Sequence, residues 1–99
     1  MSYDKIARKL VKEKGVEHST MMKSPCLRYN GQFIAMMFEQ ADALIIKVAP
    51  ERVCELIGAG EGREFNFTGK KFKEWVLIPS ERESQYEKYI REALNYARK

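Results

Sequence analysis

The sequence predicts a two-layer α+β fold, with a mostly antiparallel sheet of about five strands and helices at the N-terminus, in the middle and at the C-terminus. Ninety-nine residues suffice for one hydrophobic core, and hence for one domain over residues 1–99. Apolar residues repeat with the period of a helix at both ends of the chain. Between these ends, strand-like segments follow one another directly, and this order favours antiparallel pairing.

The first predicted element is a helix near the N-terminus. Its apolar residues recur at spacings of three and four and therefore share one face. These residues are Tyr3, Ile6, Ala7, Leu10 and Val11. Ser2 is a suitable N-cap, and Asp4 lies where its charge favours the helix dipole. Gly15 can end the helix in a left-handed conformation.

A β-hairpin is predicted next. Residues 16–22 suit a short strand, and Cys26–Tyr29 suits a second one. Asn30-Gly31 favours a two-residue type I′ turn, because both central residues of that turn need a positive φ. The return strand is predicted over Gln32–Glu39.

The return strand is apolar on both faces. Strict alternation places Phe33, Ala35 and Met37 on one face and Ile34, Met36 and Phe38 on the other. A strand of this kind is central in its sheet and covered on both sides. We expect the second cover to be a helix or a partner subunit, and the latter is the reason to predict a homodimer.

A strand and a short helix follow. Ala43–Val48 is the next predicted strand, and Pro50 suits the first position of a helix. The buried stripe of this helix is predicted to be Val53, Cys54 and Ile57. The glycines of residues 58–62 are expected to end it and open a loop.

Two short strands and a longer helix complete the chain. Phe65 and Phe67 alternate in one strand, residues 68–71 form a turn, and Glu74–Ile78 forms the last strand. Ser80-x-x-Glu83 has the form of a capping box, so the final helix should begin there and run almost to Lys99. Its predicted apolar face consists of Tyr86, Tyr89, Ile90, Ala93, Leu94 and Ala97. Glu87 and Arg91 are one turn apart and should form an ion pair.

Composition narrows the class of protein. No apolar run approaches the ~18 residues that a membrane-spanning helix needs. The N-terminus also lacks the apolar region of a secretory signal. Two cysteines, Cys26 and Cys54, are too few for a disulfide scaffold. We therefore expect a cytoplasmic protein that does not contact membranes.

Several segments resemble the N-terminal domain of the TfoX family. They are Met21–Met37, Leu44–Val48 and Lys73–Pro79, which read MMKSPCLRYNGQFIAMM, LIIKV and KEWVLIP. With the elements between them, the resemblance extends over residues 16–98. It implies a fold similar to that of secretion chaperones and YjbR-like proteins, and a link to regulators of natural competence. It implies no catalytic residues, and the helical C-terminal domain of those regulators is not in this sequence.

The positive charge is unevenly distributed. The chain has eighteen basic and fourteen acidic residues, a net charge of +4. A weak nucleic-acid interface is one interpretation, because basic side chains that neutralise phosphates release counterions. Its predicted contact residues are Arg8, Lys9, Lys12, Lys70, Lys71 and Lys73. The other interpretation is an ordinary solvated surface.

Soft metal ligands and nucleophiles are also present. The ligand types occur at His18, Met21, Met22, Cys26, Met36, Met37 and Cys54. Adjacent methionines of a strand point to opposite faces, so core packing is predicted rather than a metal site. Cys26 with His18 is the pair to consider as nucleophile and base. The run Gly58-Ala59-Gly60-Glu61-Gly62 follows a helix and lacks dinucleotide-binding spacing, which favours a plain loop.

These observations predict a non-enzymatic regulatory or protein-interaction domain that uses no cofactor, metal or small-molecule substrate. The expected partner is another protein or a second copy of the chain. Weak nucleic-acid binding through the basic residues is the alternative.

Overall fold

The computed structural model of the chain describes residues 3–21, 24–38, 42–67 and 70–98, with the side chains of 21, 66, 67 and 70–72 outside the description. The helices are α1 (Tyr3–Leu10), α2 (Pro50–Gly58) and α3 (Tyr86–Arg98), and a 3-10 helix, Ser80–Gln85, precedes α3. The strands are β1 (Val16–Met21), β2 (Ser24–Tyr29), β3 (Gln32–Phe38), β4 (Ala43–Lys47), β5 (Arg63–Phe67) and β6 (Lys70–Pro79). No helix in these ranges is long and apolar enough to cross a membrane.

The strands form one antiparallel sheet, which confirms the predicted α+β fold. Their order across the six-stranded sheet is β1-β2-β3-β4-β6-β5. The strand count exceeds the prediction because Val16–Met21 pairs with β2 along its whole length. Asn30 and Gly31 both have positive φ, 49° and 85°, as the predicted turn between β2 and β3 requires.

One residue in β3 breaks the predicted alternation. Leu27 of β2 pairs with Ala35, but the next residue, Arg28, pairs with Phe33, so Ile34 is an extra residue in β3. This bulge puts Ile34 on the same side as Ala35, and it moves Phe33 to the opposite side. The prediction that Phe33 shares a face with Ala35 was therefore wrong.

The helices cover one face of the sheet and form the larger core with it. The predicted apolar face of α3 is confirmed, since five of its residues are buried and Ala97 packs against them. From α1, the buried residues are Tyr3, Ile6, Ala7 and Leu10. Helix α1 ends at Leu10, and turns rather than helix lead to Gly15, whose φ is 89°.

The opposite face of the sheet holds a second core, here called the aromatic core: Cys26, Phe33, Met36, Phe38, Ile45 and Phe65, with Trp75 and Leu77 packed against them. The ring centroids of Phe38 in β3 and Phe65 in β5 are 5.7 Å apart. Because β4 and β6 lie between these strands, a flat sheet would separate their backbones by roughly 14 Å. The sheet therefore curls around this core.

This curl explains how β3 is covered on both sides. The rings of Phe33 and Trp75 stack with centroids 4.6 Å apart, although β3 and β6 are not neighbours. Met36 and Ile45 are completely buried within one chain. A helix or a partner subunit was expected as the second cover, but β5 and β6 of the same chain contribute it. The apolar second face therefore no longer argues for a homodimer.

The buried stripe of α2 differs from the prediction. Val53 and Leu56 are buried, whereas Cys54 and Ile57 are exposed. Helix α2 packs on β5 and β6, and a helix turns about 100° per residue. Cys54 and Ile57 therefore lie about 100° around the helix from the two buried side chains.

Two predicted boundaries also change. Strand β6 begins at Lys70, where Phe67 pairs with it, so Lys70, Lys71 and Lys73 belong to a strand rather than to a loop. The final α-helix begins at Tyr86 and not at the capping box. Residues 80–85 have no buried side chain, and short helical turns without packing are marginal, so regular helix starts at the first buried tyrosine.

Candidate functional site

One basic residue of α1, Lys9, lies beside an acidic residue of α3. Lys9 Nζ contacts Glu87 Oε2 at 3.0 Å, and Arg91 Nε contacts the same oxygen at 2.8 Å, which confirms the predicted Glu87–Arg91 pair. Hydrogen bonds from Arg91 and Lys9 lower the pKa of Glu87. Arg8 is exposed on α1, and Lys12 is exposed in the turn that follows it. The Lys9 ammonium is thus already ion-paired with a carboxylate of the same chain.

The second basic group lies on a different part of the sheet. Lys73 is exposed on β6, while the side chains of Lys70 and Lys71 lie outside the described part. Helix α1 packs against α3, whereas β6 packs against β4, β5 and α2. The six residues predicted to contact nucleic acid thus lie in two parts of the fold with different neighbours: α1 with the turn after it, and β6.

The cysteine–histidine pair is separated by the sheet itself. In the β1–β2 register, Cys26 pairs with Ser19 while His18 pairs with Leu27. Directly paired residues share a face and successive residues alternate. The imidazole and the thiol therefore point to opposite faces. Cys26 is fully buried, and burial raises the pKa of its thiol, so the arrangement opposes a nucleophilic role.

The environments of the two thiols predict a large difference in reactivity. Cys54 is exposed on α2, whereas Cys26 is buried in the aromatic core. We expect one equivalent of a thiol reagent at pH 7.5 to label Cys54 rapidly and Cys26 only after unfolding in urea. Peptide mapping by mass spectrometry measures both sites. Rapid labelling of Cys26 in a native Cys54→Ser variant would contradict this assignment.

The core packing predicted for the methionines is observed for the two of them whose side chains are described. Met36 belongs to the aromatic core, and Met37 packs against the core on the helical side. The described residues hold no group of three or more His, Cys, Asp or Glu side chains that could bind a metal ion.

Backbone amides of the glycine-rich run, residues 58–62, are already hydrogen-bonded within the protein. Glu61 N and Gly62 N both donate to Leu56 O, at 2.9 and 3.1 Å. Tyr89 Oη donates to the Glu61 carboxylate at 2.7 Å and ties the loop to α3. Amides occupied in this way cannot cradle a phosphate, so the loop interpretation agrees with the structure.

A cleft opens at the end of the sheet that carries the Asn30-Gly31 turn. It has a volume of about 260 Å³. Its lining comes from the start of β3, the end of β4 and the last turns of α3: Gln32, Phe33, Lys47, Ala93, Tyr96 and Ala97. Its lining is mixed in character, because Phe33 and the two alanines are apolar residues, whereas Gln32, Lys47 and Tyr96 carry polar groups.

Tyr96 separates this cleft from a second one of about 200 Å³. The second cleft is lined by Val48, Ala49, Arg52, Glu92, Asn95 and Tyr96. Tyr96 Oη donates to Glu74 Oε2 at 2.5 Å, and this bond raises the pKa of the phenol. The two clefts together are called the Tyr96 groove below.

The two ends of the Tyr96 groove differ in charge. Arg52 is held by the Glu92 carboxylate, with its Nε 2.6 Å from Oε2, and it also contacts Glu55. Lys47 is half-buried and has no ion-pair partner among the described residues. Among the described residues, the arginine of the second cleft is therefore ion-paired and the lysine of the first is not, while the Glu74 carboxylate accepts from Tyr96 between them.

Sequence reasoning did not select this site. Lys47 was assigned to a strand, Gln32 to a strand start, and Tyr96 to no role. The available signal was the lysine itself, which interrupts an otherwise apolar strand from Ala43 to Val48. Its proximity to α3 could not be inferred, because the two segments are far apart in sequence.

Comparison of the chain with protein-family models finds no match. The curated proteins and the solved structures contain no match either.

Proposed function

We propose that this chain is a non-catalytic protein-interaction domain, acting in the cytoplasm, that binds an acidic segment of a partner protein in the Tyr96 groove. The observation that carries the proposal is that Lys47, a half-buried residue that lines the first cleft, has no ion-pair partner among the described residues. A charge that is partly removed from water gains most from a carboxylate that hydrogen-bonds to it.

The overall charge of the protein supports an acidic partner. A net charge of +4 attracts acidic surfaces and steers their approach. The two free cysteines suit a reducing compartment. The resemblance to the TfoX N-terminal domain also favours a regulatory binding role, because that family offers no catalytic residues to transfer.

The size of the cleft favours a side chain of a protein over a cofactor. Sites for drug-sized ligands and cofactors usually measure roughly 300–1,000 Å³, whereas this cleft measures about 260 Å³. An apolar cavity of roughly 150 Å³ already admits benzene. The cleft thus has room for one ring or branched side chain with a polar group attached.

Peptide selection tests the proposal. A random peptide library is selected on the wild-type protein, on Lys47→Glu and on Lys73→Glu, which makes the same charge change at an exposed lysine outside the groove lining. We expect wild type and Lys73→Glu to enrich acidic peptides. Lys47→Glu should bind those peptides at least about tenfold more weakly, because a charge-assisted hydrogen bond is lost and a repulsion added.

Two results would contradict the proposal. One is that no acidic peptide is enriched, or that Lys47→Glu binds the enriched peptides as well as wild type does. The other is that labelled duplex or single-stranded DNA binds, weakens steeply with salt and is lost in Lys73→Glu or in Arg8→Glu/Lys12→Glu. That result would favour nucleic-acid binding instead.

A further inference from the structure

We infer that the acidic segment bound by the Tyr96 groove continues around the end of the sheet onto the face that carries the aromatic core, here called the aromatic face. There its carboxylates bind two cations, Lys47 and Arg28, which alternate with aromatic residues of the neighbouring strands. The inference rests on the proposed function and specifies the surface and the charge pattern that the partner needs.

Strand register places both cations on the aromatic face. Lys47 of β4 pairs directly with Trp75 of β6. Arg28 of β2 pairs directly with Phe33 of β3. Directly paired residues share a face, and the two rings stack within the aromatic core with centroids 4.6 Å apart. Basic and aromatic residues therefore alternate across the neighbouring strands β2, β3, β4 and β6.

The positive charge of the aromatic face is not balanced by ion pairs. Every ion pair among the described residues lies within the helices, or joins them to one another or to the turn after α1. Among the described side chains of the strands, register and alternation assign to the aromatic face one acidic residue, Glu17, and the basic residues Arg28, Lys47, Arg63 and Lys73. An acidic partner is therefore complementary to this face.

Two of these cations border the groove. Lys47 and Phe33 line the first cleft, and Arg28 is the cross-strand partner of Phe33. Lys73 lies beyond the last residue pair of β4 and β6, and Arg63 is on the edge strand β5. A segment that leaves the cleft around the end of the sheet therefore meets Lys47 and Arg28, and the lysine and arginine outside the cleft serve as controls.

The geometry at Arg28 indicates the spacing of acidic residues in the partner. Arg28 Nη1 donates to Gly31 O at 3.3 Å, which holds the guanidinium near the turn and leaves its other N–H groups for a carboxylate. Strands β2 and β4 are two strand spacings apart, roughly 10 Å. An extended chain, at about 3.3 Å per residue, covers that distance in about three residues. The partner segment should therefore carry two acidic residues about three positions apart.

A diacidic peptide and its neutral counterpart test the inference. The probes are Ac-Gly-Asp-Phe-Gly-Asp-Gly-amide and the same sequence with both aspartates replaced by asparagine. Binding is titrated in the ¹⁵N–¹H spectrum, where the backbone amide of Arg28 and the indole N–H of Trp75, the single tryptophan, report the aromatic face. The amides of Ala93 and Ala97 report the α3 side of the groove.

We expect the diacidic peptide to shift the Trp75 and Arg28 signals and to bind at least about tenfold more tightly than the neutral peptide. Arg28→Gln and Lys47→Gln should each weaken the diacidic peptide about three- to tenfold and leave the neutral peptide unchanged. Arg28→Lys keeps the charge and should retain most of the affinity. Arg63→Gln, the matched control, removes an exposed arginine of the same face and should bind within about twofold of wild type, because solvent screens distant charges.

The other outcomes separate this inference from the proposed function. If Lys47→Gln weakens the diacidic peptide but Arg28→Gln does not, or if only the α3 amides shift, the inference is overturned while the proposed function stands. If single-stranded DNA and not the peptide shifts the Trp75 and Arg28 signals, the aromatic face binds nucleic acid and the inference is wrong. If neither peptide binds and peptide selection also fails, the inference and the proposed function both fall.

Discussion

Phe65→Ala should lower the free energy of unfolding by about 3–5 kcal/mol, the usual cost of truncating a buried phenylalanine. The ring is 2% exposed, meets Phe38 edge-on and lies 5.5 Å from the Trp75 ring. It belongs to an edge strand and yet contacts β3, because the sheet curls. Removing it leaves a cavity in the part of the core that no helix was found to cover.

Urea denaturation followed by Trp75 fluorescence measures this loss. The transition midpoint should fall with little change in slope, and it should not depend on protein concentration, because the aromatic core is completed within one chain. Phe65→Leu is the control that keeps most of the apolar volume, and it should cost well under half as much. A loss below about 1 kcal/mol for the alanine variant, or a midpoint that rises with concentration, would contradict a self-covered core.

Local patterns predicted the parts of the fold that local chemistry determines. Asn30-Gly31 specifies its turn through positive φ, and the apolar spacing of α3 specifies the face that it buries. The curl of the sheet is different, because it follows from contacts such as Phe38–Phe65 between segments far apart in sequence. Likewise, the bulge at Ile34 arises from the register in which β3 pairs with β2, which the residues next to Ile34 in sequence do not determine.

The candidate site escaped prediction for the same reason. Gln32, Lys47 and Tyr96 come from three elements that are separated along the sequence and meet only at one end of the sheet. The basic residues selected from charge density alone included Lys9, which the fold pairs with Glu87. Counting charges cannot show which of them has an acidic neighbour.

Gly62→Ala is expected to lower the free energy of unfolding by about 1–3 kcal/mol, the usual cost of overpacking a core. A Cβ at this position would lie 2.6 Å from Val76 Cγ2 and 3.5 Å from Leu56 Cβ. Val76 is fully buried and β-branched, so its side chain has little freedom to move aside. The glycine is therefore needed for close packing of the loop on β6, and thermal or urea unfolding measures the cost.

Gly58→Ala is the matched control, since it adds the same methyl group four residues earlier. No atom lies within 4 Å of a Cβ at Gly58, which is the last residue of α2. Alanine is better than glycine in a helix by about 0.5–1 kcal/mol, so this variant should be neutral or more stable. Val76→Ala should partly rescue Gly62→Ala, because the new methyl would occupy the space that valine vacates. Equal destabilisation by both alanines, without rescue, would contradict the clash with Val76 as the cause.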